Sequence, residues 1–277
     1  MEIHEPVDHQ KKLNIIAIAD ASIYGRSALA YGNVLARIFG ASLTVVTRFG
    51  FTLEDKVQTA LSETEIQSSD PENLILPEGY FFPEILYSYA EKTNTIMFVI
   101  GVARDGDDGL FHARQAIRFI QPSRLPVMTV GNVLPTETAF QQVVLPLDIE
   151  RQAKEKALWA GYFSRFYQAT IHILHPDYKD SGLKKQVADN VDFVEKLYHN
   201  LDITYELHAV EPPRNLDLFS ITYAESLGAT LSVVMMTGYR TLGDWLIGPR
   251  ERKIIANPQH FPVLCINPRE DLYVLCT

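Results

Sequence analysis

The feature that most constrains this chain is that it repeats itself. Ala28-Leu29-x-x-Gly32 returns as Ala157-Leu158-x-x-Gly161, and Tyr89-Ala90-Glu91 returns as Tyr223-Ala224-Glu225. Leu125-Pro126-Val127 returns as Phe261-Pro262-Val263, and Asp20 as Asp148. The pairs keep their order and a nearly constant separation, which is the mark of one unit duplicated in tandem. The division falls in the Pro135 region, giving units 1–135 and 136–277. A length of 277 residues lets each unit bury a core of its own.

Within a unit the hydrophobic period alternates between strand and helix. Leu13 to Ala19 is a continuous apolar run ending at Asp20, as expected of a strand buried on both faces of a parallel sheet. Ala28, Leu29, Gly32, Leu35, Ala36 and Phe39 recur at helical spacing, with Gly40 as the closing cap. Ser42 to Thr47 is a second strand, which completes a βαβ unit. Further on, the pattern predicts a short helix over 53–61, a strand over 73–76 and a helix over 82–92. It continues with a strand over 96–100 ending at Gly101, a helix through Ile120 and a strand over 127–130. The second unit reads as strands over 143–147, 170–174, 203–210, 231–236 and 263–266, with helices over 150–168, 183–199, 216–227 and 249–256. The predicted class is α/β: two tandem doubly wound parallel-sheet domains, Rossmann-like, whose ligands belong at the carboxyl ends of the strands.

The formal charge of −9 argues against a nucleic-acid or anionic-membrane partner, since both require a basic face. The two cysteines, Cys265 and Cys276, make no disulfide framework. The polar stretch 1–12 has no apolar signal core, and no apolar run is long enough to span a bilayer. A cytoplasmic protein is expected.

The stretch from Val233 to Pro249 carries the clearest candidate site. A buried strand, a loop with Gly238, Gly243 and Gly248, and a helix start at Pro249 are the parts of a phosphate cradle. Arg240, Arg250, Arg252 and Lys253 add positive charge. Pro249 is equally an ordinary first helical residue. Asp20 and Asp148 could accept a bond from a base or cap the helix that follows. The loop holding Asp105, Asp107 and Asp108 repels polyphosphate and lacks the ligand spacing of a calcium loop. His172 and His175 are three apart, which on a strand puts them on opposite faces, so no metal site is expected. No catalytic triad order, Walker loop or Gly-x-Gly-x-x-Gly is present.

In these residues the chain resembles a tandem universal stress protein. The likeness rests on Asp20 and Asp148 at strand ends, Gly40-Ala41-Ser42-Leu43, Pro126-Val127-Met128 and Pro262-Val263-Leu264. It implies an adenine nucleotide alpha hydrolase-like fold, with the two units packed as a pseudo-dimer through their last strands. Nucleotide-binding members carry Gly-x2-Gly-x9-Gly-Ser/Thr after the fourth strand, with the Asp of the first strand beside the adenine. Here Gly238 and Gly248 hold the last two glycine places, but Met235 and Pro249 stand at the first glycine and the hydroxyl. In the first unit Gly101 is kept, while Arg104, Arg114 and Gln115 replace the rest. The cofactor-binding candidates that the resemblance implies are Asp148, Gly238, Arg240, Gly248 and Arg250, and more weakly Asp20 and Gly101. The preferred expectation is a non-enzymatic stress-response or regulatory protein with degenerate nucleotide sites and no cofactor. It would act through an unidentified protein partner or as a homodimer, and the tail 271–277 could serve that contact. The alternative is ATP or another adenine nucleotide held as a regulatory ligand in the second unit. A phosphate-transferring or adenylating enzyme ranks last.

Overall fold

The computed structural model describes residues 12–48, 72–76, 83–150, 153–236 and 249–268. The first half runs β1 (Asn14–Ile18), α1 (Ile23–Phe39), β2 (Ser42–Arg48), β3 (Glu72–Leu76), α2 (Pro83–Lys92) and β4 (Thr95–Ala103). It closes with β5 (Phe111–His112), α3 (Ala113–Ile120) and β6 (Val127–Val130). The second half runs β7 (Gln142–Pro146), α4 (Ala153–Tyr167), β8 (Thr170–Pro176), α5 (Ser181–Asn200) and β9 (Tyr205–Val210). It ends with α6 (Leu216–Ser226), β10 (Leu231–Met235), α7 (Pro249–Ile255) and β11 (Val263–Ile266).

One sheet joins both halves in the order β3-β2-β1-β4-β6-β11-β10-β7-β8-β9, with β5 attached to β4. Pairing is parallel throughout except at the centre, where β6 meets β11 antiparallel with Val263 opposite Thr129 and Cys265 opposite Val127. Left apart, each half would end in an apolar edge strand with unpaired backbone groups. Joining them about a two-fold relation removes both edges. Burial here raises the thiol pKa of Cys265 to about 12.

Helices cover both faces. On one, α1 and α4 share a core in which Tyr31 meets Phe140 and Phe39 meets Phe163, with ring centroids 5.7 and 5.4 Å apart. On the other, Phe98 and Phe119 of the first half share a core with Val234 and Ile254 of the second. The cores run across the seam, so the stretch 132–138 joins two halves that bury apolar surface together.

Local signals explain most boundaries. Ser22 caps α1 by accepting from the backbone N–H of Gly25, and Gly40 closes it at φ 59°. β4 runs past Gly101 to Ala103, further than expected, because Val102 and Ala103 are also buried. β5 was not expected. The acidic loop after β4 folds back so that Phe111 pairs with Val102 and is buried. β9 begins at Tyr205, because the Ile203 N–H still bonds the Tyr198 carbonyl at the end of α5. The predicted helix over 53–61 and the tail 271–277 lie outside the described residues. Among the described residues no helix is long and apolar enough to cross a membrane.

Candidate functional site

The chain order places one crevice in each half, at corresponding points. From β1 it moves to β2 and β3 on one side, then returns to β4 on the other side; β7, β8, β9 and β10 repeat this. Strand order therefore reverses between β1 and β4 and again between β7 and β10. A ligand of this architecture sits at the carboxyl ends of those strands.

In the first half, groups of the chain itself fill that end. Asp20, two residues beyond β1, accepts from the Ser22 N–H at 2.9 Å and from the Ser22 hydroxyl. Its second oxygen accepts from the Leu110 N–H at 2.5 Å, which ties the acidic loop down over the crevice. Tyr24 donates to Asp107 at 2.5 Å, and burial together with that carboxylate raises the phenol pKa. Gly101 sits against the Tyr24 backbone; a Cβ there would lie 2.1 Å from the Tyr24 carbonyl oxygen. Arg104 donates to the Pro258 carbonyl of the second half at 2.6 Å. His260, across the seam, accepts from the Asn132 N–H at 3.4 Å, and burial followed by the Arg104 charge lowers its pKa.

In the second half, Asp148 accepts from the Ile149 N–H at 2.8 Å and from the Tyr178 hydroxyl at 3.0 Å. Burial and this carboxylate raise the Tyr178 pKa. Asn190 donates to the Asp148 carbonyl at 2.7 Å. Three charged groups then meet at the first turns of three helices. Lys156 of α4 is buried and lies 3.7 Å from Asp217 of α6. Arg250 of α7 donates to the other Asp217 oxygen at 3.1 Å. Because α4 packs on one face of the sheet and α6 and α7 on the other, the Lys156–Asp217 pair spans the sheet end where strand order reverses. The resemblance implies Arg250 as a cofactor-binding residue. In the structure it has an internal partner, Asp217.

Of the residues implied by the resemblance, Asp20, Gly101, Asp148 and Arg250 are brought to the carboxyl ends of the strands. Gly238, Arg240 and Gly248 lie outside the described residues. Sequence reasoning missed Tyr24, Lys156, Tyr178 and Asp217. An acid in the first turn of α6 was a signal for Asp217, since it opposes the positive helix end. Nothing in the pattern marked Lys156 as buried. A separate cavity of about 440 Å³, lined by Tyr87, Glu91, Thr95, Ser123 and Leu125 among others, opens at the amino end of β4, away from both crevices.

No protein-family model matches the sequence, and no curated protein does. Solved structures do. A universal stress protein from Archaeoglobus fulgidus DSM 4304 superposes with a TM-score of 0.66 at 13% identity, over 94% of this chain and 100% of that one. The chain has the fold of a tandem universal stress protein. A functionally unknown protein from Pseudomonas aeruginosa PAO1 shares this tandem fold, with a TM-score of 0.65 and 13% identity over 96% of each chain. A structure described as a universal stress protein from Pseudomonas aeruginosa UCBPP-PA14 also scores 0.65 at 13% identity, over 96% of this chain and 97% of that one. At such identity the universal-stress-protein likeness speaks for the backbone plan, and the crevices must be read from the residues in them.

Proposed function

We propose that this chain is a tandem universal stress protein of the cytoplasm that serves the stress response as a regulator, without enzymatic activity and without a bound nucleotide. One observation supports the reading: at both strand-order reversals, charged and polar groups of the chain are bonded to one another. In the first half the Leu110 N–H and the Tyr24 hydroxyl are bonded to Asp20 and Asp107. In the second half Asp217 holds both Lys156 and Arg250. An ATP phosphate would have to displace a buried carboxylate from its cations.

Action through protein contacts fits the surface of α4. Leu158, Tyr162 and Phe166 recur at helical spacing and are 42%, 37% and 49% exposed. Such side chains serve as anchors in protein interfaces.

A second reading, ATP as a regulatory ligand of the second half, draws on the same Lys156 and Arg250. Calorimetric titration of the full chain with ATP, with and without magnesium, separates the two. The expected result is no heat of binding, no change in melting temperature at millimolar ATP and no phosphate release. Submillimolar binding that is abolished by Arg250→Ala would establish the second reading. Gain of binding in a Met235→Gly/Pro249→Ser double variant would show that those two side chains are what closed the site.

A further inference from the structure

On the outer part of the second half, three ligating atoms from two adjacent strands converge. His172 on β8 is paired with Glu206 on β9, and His208 lies two residues further along β9 on the same face. His172 Nδ1 lies 3.0 Å from His208 Nε2 and 3.5 Å from Glu206 Oε2, and the latter two are 3.7 Å apart. We propose that His172, His208 and Glu206 form a binding site for a zinc-class divalent cation.

The triangle has the size that zinc requires. Zinc bonds nitrogen and oxygen ligands at about 2.0–2.2 Å, so neighbouring ligands of a tetrahedral site stand about 3.3–3.5 Å apart. The three edges bracket that span, so a metal centred above the triangle is reached by small ring and carboxylate adjustments. The ring orientation is also set. Gln142 Oε1, on β7, accepts from His172 Nε2–H at 2.7 Å, and this leaves Nδ1 as the lone-pair nitrogen aimed into the cluster. A ligating histidine is oriented in this way, by a second acceptor on its far nitrogen.

A hydrogen bond between the two rings explains only part of the arrangement, because Glu206 also converges on their shared point. Without metal, His208 Nε2–H donates to His172 Nδ1. With metal, His208 moves its proton to Nδ1, so both rings ligate in the neutral form and one carboxylate charge faces the cation. Tyr223 of α6 packs its ring 6.0 Å from His208 and walls one side with apolar surface. The side chain of His172 is 7% exposed, that of His208 18% and that of Glu206 60%. The site is therefore rooted in the sheet and open at Glu206, where water takes the fourth position. Two nitrogens and one carboxylate select zinc, cobalt or nickel over magnesium and calcium, which demand oxygen ligands.

The first half serves as an internal control. By strand register, its residues at the places of Gln142, His172, Glu206 and His208 are Asn14, Thr44, Glu72 and Leu74. There Asn14 accepts from the Thr44 hydroxyl at 3.2 Å and donates to Thr95 at 3.0 Å, and no nitrogen ligand is present. The duplicated sheet thus carries the histidines in one half only.

Equilibrium dialysis of the tag-free full chain against micromolar zinc, followed by metal analysis, tests the proposal. Cobalt substitution supplies a visible spectrum that reports ligand geometry. The expected result is one zinc per folded chain, not displaced by millimolar magnesium or calcium, and a raised melting temperature. His208→Ala abolishes binding, and Glu206→Ala, at an exposed position that leaves the fold intact, weakens it. Gln142→Leu costs roughly ten- to a hundredfold in affinity, and His199→Ala on the surface of α5 changes nothing. Zinc absent from the folded wild-type chain, or retained equally by His208→Ala, overturns the site.

Discussion

Asp20 and Asp148 stand at the same place in the two halves, two residues past the opening strand, yet they hold different things. Asp20 reaches ninety residues along the chain to the Leu110 N–H and pins a loop over its crevice. Asp148 bonds the adjacent Ile149 N–H and the Tyr178 hydroxyl and leaves its crevice to a charge cluster. Gly101 and Met235 are also equivalent: each closes its ladder, opposite Val130 and Ile266. Gly101 is required by the backbone of Tyr24, whereas Met235 is a packed core side chain. One duplicated scaffold therefore lines the same crevice in two ways, by backbone contact in the first half and by a buried ion pair in the second. The difference shows that the strand order makes a crevice, and that the side chains at its rim decide whether anything can enter.

The sharpest way to break this comparison is to exchange the equivalent residues. Gly101→Met puts a Cβ against a carbonyl oxygen that cannot yield, and should cost more than about 3 kcal/mol. Loss of soluble yield or a large drop in the urea midpoint would show it. A variant as stable as the wild type would mean that α1 is free to move away from β4.

Next in size is Asp217→Ala. It strands Lys156, whose side chain is 7% exposed, and should cost about 3 kcal/mol. The double variant Lys156→Met/Asp217→Leu should recover most of that loss in denaturant unfolding, because the cost lies in the unpaired charge. No recovery would mean that the pair's geometry itself holds the helix ends.

The smallest effect compares the two aspartates. Asp20→Ala removes an acceptor from Ser22 and from the distant loop and should cost about 2 kcal/mol. Asp148→Ala should cost about 1 kcal/mol. Hydrogen exchange at the Leu110 amide should quicken in the first variant alone. Equal costs would erase the distinction between a long-range latch and a local turn.

Much of the fold was legible because it rests on periodicity. The apolar runs ending at Asp20 and Asp148, the helical spacing before Gly40 and the repeated Pro-Val steps all report on neighbours in sequence. The apolar pattern ends β4 too early, because a glycine reads as a stop where the strand continues past a close backbone contact. β5 was missed because two residues carry no period. The candidate crevice was legible in outline through Asp20, Asp148 and Gly101. The histidine cluster was not, since the sequence offered His172 beside His175, while the register of β8 against β9 brings in His208 from elsewhere in the chain.

The sequence by itself determined that the chain is a duplicated α/β protein with parallel strands, and that the two halves had diverged at their glycine positions. These properties follow from spacing along the backbone. Only the tertiary structure decided that Arg250 belongs to Asp217, that the Leu110 N–H bonds Asp20, and that His172 meets His208 and Glu206. Each depends on charge or ligating atoms meeting across strands and helices that are remote in sequence. Such distances are set by sheet register and helix packing, to which local patterning is blind.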